Sequence, residues 1–165
     1  MISKEKKDRL LSIDPSINHV GVAVWELPNK LIMYGLLHPK VKERENEYDK
    51  SMSILNQIKE WKQNYGVNRI ILEVPAHWAV GGFEARETGS IAKLMLVVGA
   101  LYSLKPEVDE FKVVKPHEWK GQLPKSVMVN RLKEFYVNAG VDLEKLNPNV
   151  ADAIGIGHFY LFGSV

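Results

Sequence analysis

In the first forty residues apolar positions either alternate with polar ones or run unbroken for a few residues, and both patterns belong to strands. Residues 10–14 and 19–26 form two such runs around the turn "DPSIN", where Pro15 and Asn18 supply the turn chemistry. The second run, "HVGVAVWEL", alternates as a strand does. After "PNK", "LIMYGLLHP" reads as a third strand, and connections this short allow only an antiparallel meander.

From residue 46 to 65 the spacing becomes helical: Met52, Leu55, Ile58 and Trp61 recur at helical intervals, and Gly66 stands where a helix stop is expected. "VNRIILEVP" is then continuously apolar up to Glu73, and Pro75 ends it. That suits a parallel strand buried on both faces. A Gly-containing loop, "AHWAVGGFEARETGS", leads to an apolar helix in "SIAKLMLVVGALYSL" and a short strand in "EFKVVKP". "KSVMVNRLKEFYVNAG" reads as an amphipathic helix ending at Gly140, and "NVADAIGIGHFYLFG" as a buried helix rich in small residues. No repeat, low-complexity tract or linker interrupts the chain. The order predicts one α/β domain over 1–165, a mixed five-stranded sheet with helices on both faces.

Composition narrows the class only slightly. The 165 residues suffice for a core without staples, and 45% hydrophobic and 25% charged residues are ordinary for a globular protein. The absence of cysteine excludes disulfide frameworks and thiolate metal sites, and suits a cytoplasmic location. The polar start "MISKEKKDR" is no signal peptide, and no stretch reaches transmembrane length, so no membrane partner is expected. A formal net charge of +2 permits an anionic partner without demanding one.

Three acids stand against hydrophobic context: Asp14 closes the first strand, Glu73 closes "RIILE", and Asp152 interrupts an apolar helix. Singly, each has an ordinary explanation: a turn cap, a strand-end surface residue, a solvated helix face. Together they say more. If the first strand is central and "RIILE" is its parallel neighbour, Asp14 and Glu73 lie side by side, and Asp152 reaches them from a packed helix. Clustered carboxylates repel unless cations sit between them, and an oxygen-only donor set selects Mg²⁺ or Mn²⁺. Two such ions can flank a phosphodiester, one activating water and the other stabilising the leaving oxygen.

At these residues the chain resembles the RuvC-type Holliday junction resolvases of the RNase H-like superfamily. "LSIDPS" is similar to that family's first strand motif, "IILEVP" to its second acidic strand, "KPHEWKGQLPKS" to its basic segment and "NVADAIGIG" to its C-terminal acidic helix. Their order and spacing agree from Leu10 onward, and the short, divergent build suggests a phage-type member acting in the host cytoplasm. The resemblance implies an RNase H-like fold and a homodimer that cuts opposed strands of a four-way DNA junction with Mg²⁺, Mn²⁺ substituting. It makes Asp14, Glu73 and Asp152 the catalytic, metal-binding acids. It puts the fourth metal ligand at Asn149, where many members carry an acid. Asn149 offers a neutral oxygen only. His158, six residues beyond Asp152, is turned well away and reads as a packed or surface helix residue, while Asp142 or Glu144 could approach from the preceding loop.

DNA binding needs cations beside the acids. Lys115, Lys120, Lys125, Arg131 and Lys133 fall within one short span. Lys125 matches a family lysine near the catalytic acids, which implies contact with the scissile phosphate, with Lys120 as its companion; a solvated basic helix start is the plainer explanation. The resemblance also implies that the loop after Glu73 inserts an aromatic residue near the junction centre. His77, Trp78 and Phe83 are the candidates, Trp78 and Phe83 ahead, either stacking on a base or anchoring the loop. Arg86 is placed to reach a phosphate nearby. The apolar helix after that loop suits a dimer interface, or deep burial within one domain.

Three other readings keep parts of this pattern: a branched-DNA nuclease of broader specificity, acting on forks and flaps; a junction-binding protein whose catalysis Asn149 has impaired; and a fragment of an actin-like ATPase or sugar kinase. The last lacks the Gly-rich phosphate loop that such proteins need, since "IDPSIN" has no glycine.

Overall fold

The computed structural model describes residues 7–42, 46–75, 89–136 and 140–165. Its sheet is built outward from β1 (Arg9–Asp14), which pairs antiparallel with β2 (Val20–Glu26); β2 pairs antiparallel with β3 (Lys30–Leu37). On its other side β1 pairs parallel with β4 (Arg69–Glu73), and β4 parallel with β5 (Glu110–Val114). The order β3-β2-β1-β4-β5 puts β1 in the middle, where Leu10, Leu11, Ser12 and Ile13 are all fully buried.

Period-two alternation divides the strands between two cores. Leu11, Ile13, Val22, Val24, Ile70 and Leu72 pack against α1 (Glu47–Tyr65) and α2 (Ser90–Tyr102), which carry the two parallel crossovers on one face. Leu10, Ala23, Trp25, Ile71 and Val114 belong to the opposite core, with α4 (Lys125–Tyr136) and α5 (Pro148–Phe162). A single turn of helix, α3 (Pro116–Trp119), links β5 to that second layer. Helices therefore cover both faces, and among the described residues none is long and apolar enough to cross a membrane.

Helix α1 begins at a capping box, in which Asn46 accepts from the Tyr48 and Asp49 amides and Asp49 accepts from the Asn46 amide. It stops at Gly66, which takes the left-handed conformation (φ 60°) expected of a helix end. Of the apolar series read from the sequence, Met52 is exposed; the buried residues of the helix are Ser51, Ile54, Leu55, Gln57 and Ile58. A run of three-residue steps drifts by about 60° per step around the helix, so the first member of such a series leaves the buried arc.

The contact that positions the site is α5 against β1 and β2. Small residues line both sides. A Cβ on Gly21 would lie 1.9 Å from the Asn149 carbonyl oxygen, and one on Gly157 would lie 2.1 Å from Trp25 Nε1. Ser12 donates to the Ala153 carbonyl at 2.7 Å and accepts from Trp25 Nε1 at 3.1 Å, fastening helix to sheet at its centre. Tyr160 donates to Glu110 at 2.7 Å and ties the last turns of α5 to β5. His158 is buried, 2.6 Å from the Tyr136 hydroxyl, and burial lowers its pKa to about 4, so it serves as a packed residue.

Gly21→Ala tests this contact. Backbone atoms of α5 block the added methyl and cannot swing aside as a side chain would. Chemical denaturation should show a loss of about 1–3 kcal/mol or more; an unchanged midpoint would mean that the helix does not lie this close.

Candidate active site

Asp14 and Glu73 stand at the carboxyl ends of neighbouring parallel strands. The register sets Ile13 opposite Leu72, so the next residues along, Asp14 and Glu73, lie side by side. They share the parity of Leu10 and Ile71 and therefore face α5 rather than α1. Asp152, in the second turn of α5, completes the group from above with its side chain only 13% exposed. The carboxyl ends of strands are where open α/β sheets generally place their sites.

Two lysines meet the acids. Lys125, the first residue of α4, brings its ammonium 3.0 Å from Asp152 Oδ1 and donates to the Pro148 carbonyl at 3.2 Å. Lys120 follows α3 and places Nζ 3.8 Å from Asp152 Oδ2. Trp119 donates its indole N–H to Glu73 Oε2 at 2.5 Å.

Electrostatically the site holds excess negative charge. Burial, then the Glu73 carboxylate and then Asp152 push the Asp14 carboxyl well above its ordinary range, and Lys120 and Lys125 oppose this only in part. Burial also raises Glu73, against the hydrogen bond from Trp119 and the pull of Lys120. Asp152 Oδ1 is buried and makes no hydrogen bond, with only the Lys125 ammonium beside it. Three carboxylates, two held toward neutrality and one with a buried oxygen met only by an ammonium, form a donor set whose chemistry fits a hard divalent cation. Among the described residues no three such side chains stand ready-made as a cage; Trp119 holds Glu73 by one oxygen, Oε2, and Lys125 stands beside Asp152 Oδ1.

The other sequence-predicted residues divide. Asn149 sits one turn before Asp152, where its side-chain amide N–H donates to the His19 carbonyl; only its own carbonyl oxygen is left to face a cation. Lys115 heads α3, its main-chain N–H bonded to Glu118 at 2.6 Å, and Arg131 donates to the Val165 carbonyl at 3.1 Å. Among the described residues neither forms an ion pair with the three acids. Lys133 pairs with Glu144 at 3.0 Å and Lys145 with Asp142 at 2.8 Å, so both loop acids are engaged by lysines. His77, Trp78, Phe83 and Arg86 lie outside the described residues. Sequence reasoning does not find Trp119. Its only signal is a tryptophan inside an otherwise polar, basic segment.

The sheet order, the two helical layers and the acids at the strand ends define an RNase H-like α/β fold. Within that class the resemblance to the RuvC-type resolvases holds at the level of fold. The chain is similar to Thermus thermophilus RuvC in complex with a Holliday junction substrate, at 16% identity, covering 94% of this chain and 96% of that one, with a TM-score of 0.67. It is similar to the yeast mitochondrial Holliday junction resolvase Ydc2 at 14% identity, covering 94% and 79%, with a TM-score of 0.62. The fowlpox virus resolvase, in complex with substrate Holliday junction DNA, matches at 14% identity over 94% and 97%, with a TM-score of 0.57. No family model matches the sequence, and no curated protein sequence matches it.

The raised carboxyls carry a stability consequence with a definite sign. Asp14 and Glu73 bind protons more tightly folded than unfolded, so the metal-free protein loses stability as pH rises from the ordinary carboxylate range through the raised values. Asp14→Asn removes the largest of these penalties. Metal-free Asp14→Asn should therefore melt higher than the parent at neutral pH, by about 3 °C per kcal/mol relieved for a domain of this size, and the gap should close in acid. A lower melting temperature at neutral pH would mean that Asp14 is not held under repulsion.

Proposed function

We propose that the protein is a metal-dependent, structure-selective endodeoxyribonuclease that resolves four-way DNA junctions as a homodimer. The observation that carries this reading is the meeting of Asp14, Glu73 and Asp152 at the carboxyl ends of β1 and β4, with Lys120 and Lys125 alongside. The neighbours' fold supports it: two of them were solved with junction DNA.

Asp14, Glu73 and Asp152 would hold the cation, Mg²⁺ or Mn²⁺, with Asn149 offering its neutral carbonyl oxygen. When bound, such an ion would supply Lewis-acid stabilisation of phosphoryl oxygens and a coordinated water more acidic than bulk water. The chain's own residues do the rest. Lys125 and Lys120 present positive charge on the side of Asp152 that faces the DNA, so a phosphate entering there exchanges a carboxylate–ammonium pair for a phosphate–ammonium one. As the phosphorus–oxygen bond to the leaving strand breaks, Lys125 stabilises the charge that develops. Burial of Asp14 excludes water from the base of the site and strengthens both effects. Dimerisation supplies the second site that paired cuts require, and α2, whose apolar residues include the exposed Met95, is the helix proposed for it.

The test is direct. A labelled four-way junction, a fork and a linear duplex are incubated with the protein in Mg²⁺ and in Mn²⁺. Paired symmetric nicks in the junction, absent with a chelator and with Asp14→Asn, are expected. Lys125→Ala should retain junction binding and lose about 10²–10³-fold in rate. Equal cutting of all three substrates would indicate a broader branched-DNA nuclease. Tight junction binding without cleavage in either metal would make the protein a junction binder.

A further inference from the structure

The indole of Trp119 meets Glu73, Lys120 and the helix that carries Asp152. Its N–H donates to Glu73 Oε2 at 2.5 Å, and the Lys120 ammonium lies over its ring, 4.8 Å from the centroid. The same ammonium is 3.8 Å from Asp152. The far edge of the ring is wedged on α5 at Gly155: a Cβ there would come within 2.5 Å of Trp119 Cζ3. Gly155 is three residues beyond Asp152, on nearly the same side of the helix. Trp119 itself is only 3% exposed and belongs to the core beneath α4 and α5.

Any buried indole must satisfy its N–H, but here the acceptor is a carboxylate of the site and the ring face carries one of the site's lysines. A hydrogen bond from a rigid, buried donor fixes a carboxylate's rotamer, and a cation over an aromatic face is held in direction as well as attracted. The edge of Trp119 governs Glu73 and its face governs Lys120, while Gly155 sets the distance between the ring and the helix that carries Asp152. We propose that Trp119 is the positioning residue of the site: it presents Glu73 to the cation and aims Lys120 at Asp152. This inference rests on the nuclease reading and deepens it.

Trp119→Phe removes the N–H together with the outer ring edge that lies on Gly155, and a Glu73→Gln background separates the two losses. Mn²⁺ binding to the DNA-free full chain, followed by electron paramagnetic resonance of the free ion, should weaken by about tenfold, the typical cost of losing such an outer partner. Junction affinity measured without divalent ions should not change. In a Glu73→Gln background the same substitution should cost nothing more, because the bond acts through Glu73. Parent-like Mn²⁺ affinity in Trp119→Phe, or a loss that adds in full to that of Glu73→Gln, would overturn the role.

If Trp119→Phe fails to fold, the parent protein labelled with ¹⁵N-tryptophan answers the same question. The indole N–H signal that moves on Glu73→Gln belongs to Trp119, and Mg²⁺ should shift it; indifference to Mg²⁺ overturns the role. Asp14→Asn separates the positioning role from the nuclease reading. If it abolishes Mn²⁺ binding while Trp119→Phe leaves binding intact, the positioning role falls and the nuclease reading stands. A parent protein that binds no Mn²⁺ would overturn both.

Discussion

How closely α5 lies on β1 and β2 decides whether the three acids make a site at all. Asp14 and Glu73 are neighbours by strand register alone, but Asp152 reaches them because Gly21 admits the α5 backbone directly against β2 while Gly157 makes room for the Trp25 indole and Ser12 bonds the helix backbone. A layer of ordinary side chains would lift the helix by several ångströms, since packed elements ordinarily stand about 8–10 Å apart. The small residues thus give up core volume for proximity. Ser12 recovers part of the loss by hydrogen-bonding the helix backbone where a methyl could only have touched it.

That proximity creates an electrostatic problem which the protein solves only in part. Two ammonium groups attend Asp152, and one indole attends Glu73, whereas Asp14 lies deepest and the charged groups acting on it include two carboxylates. Such an imbalance is destabilising in a resting fold and has no structural purpose that the surrounding core requires. It is intelligible as a site built for a partner carrying positive charge, with the lysines reserved for a partner carrying negative charge. Fold and electrostatics agree here, although the neighbours share only 14–16% of their residues with this chain.

Much of this is legible in the amino-acid sequence. Short connections around "HVGVAVWEL" and the unbroken run of "RIILE" distinguish a strand antiparallel to β1 from one parallel to it, and that distinction places Asp14 beside Glu73. Local pattern fails where the decisive contact is distant. Met52 fits a helical series yet lies in solvent, because spacing gives a stripe without its centre. The four-residue α3 is too short to show periodicity, so Trp119 reads as part of a basic loop although it reaches 46 residues back to Glu73. Arg131, close in sequence to Lys120 and Lys125, donates to the Val165 carbonyl instead of pairing with the acids. Asn149 draws notice for its oxygen, while its nitrogen is the group with a structural bond.

The central claim is that a divalent cation belongs among Asp14, Glu73 and Asp152. Crystals of the protein grown with Mn²⁺ and measured at the manganese absorption edge test it most directly. The account predicts an anomalous peak within coordination distance of oxygens from all three carboxylates, with Glu73 still bonded to Trp119. Manganese bound elsewhere on the surface, with the three acids remaining apart, would contradict it.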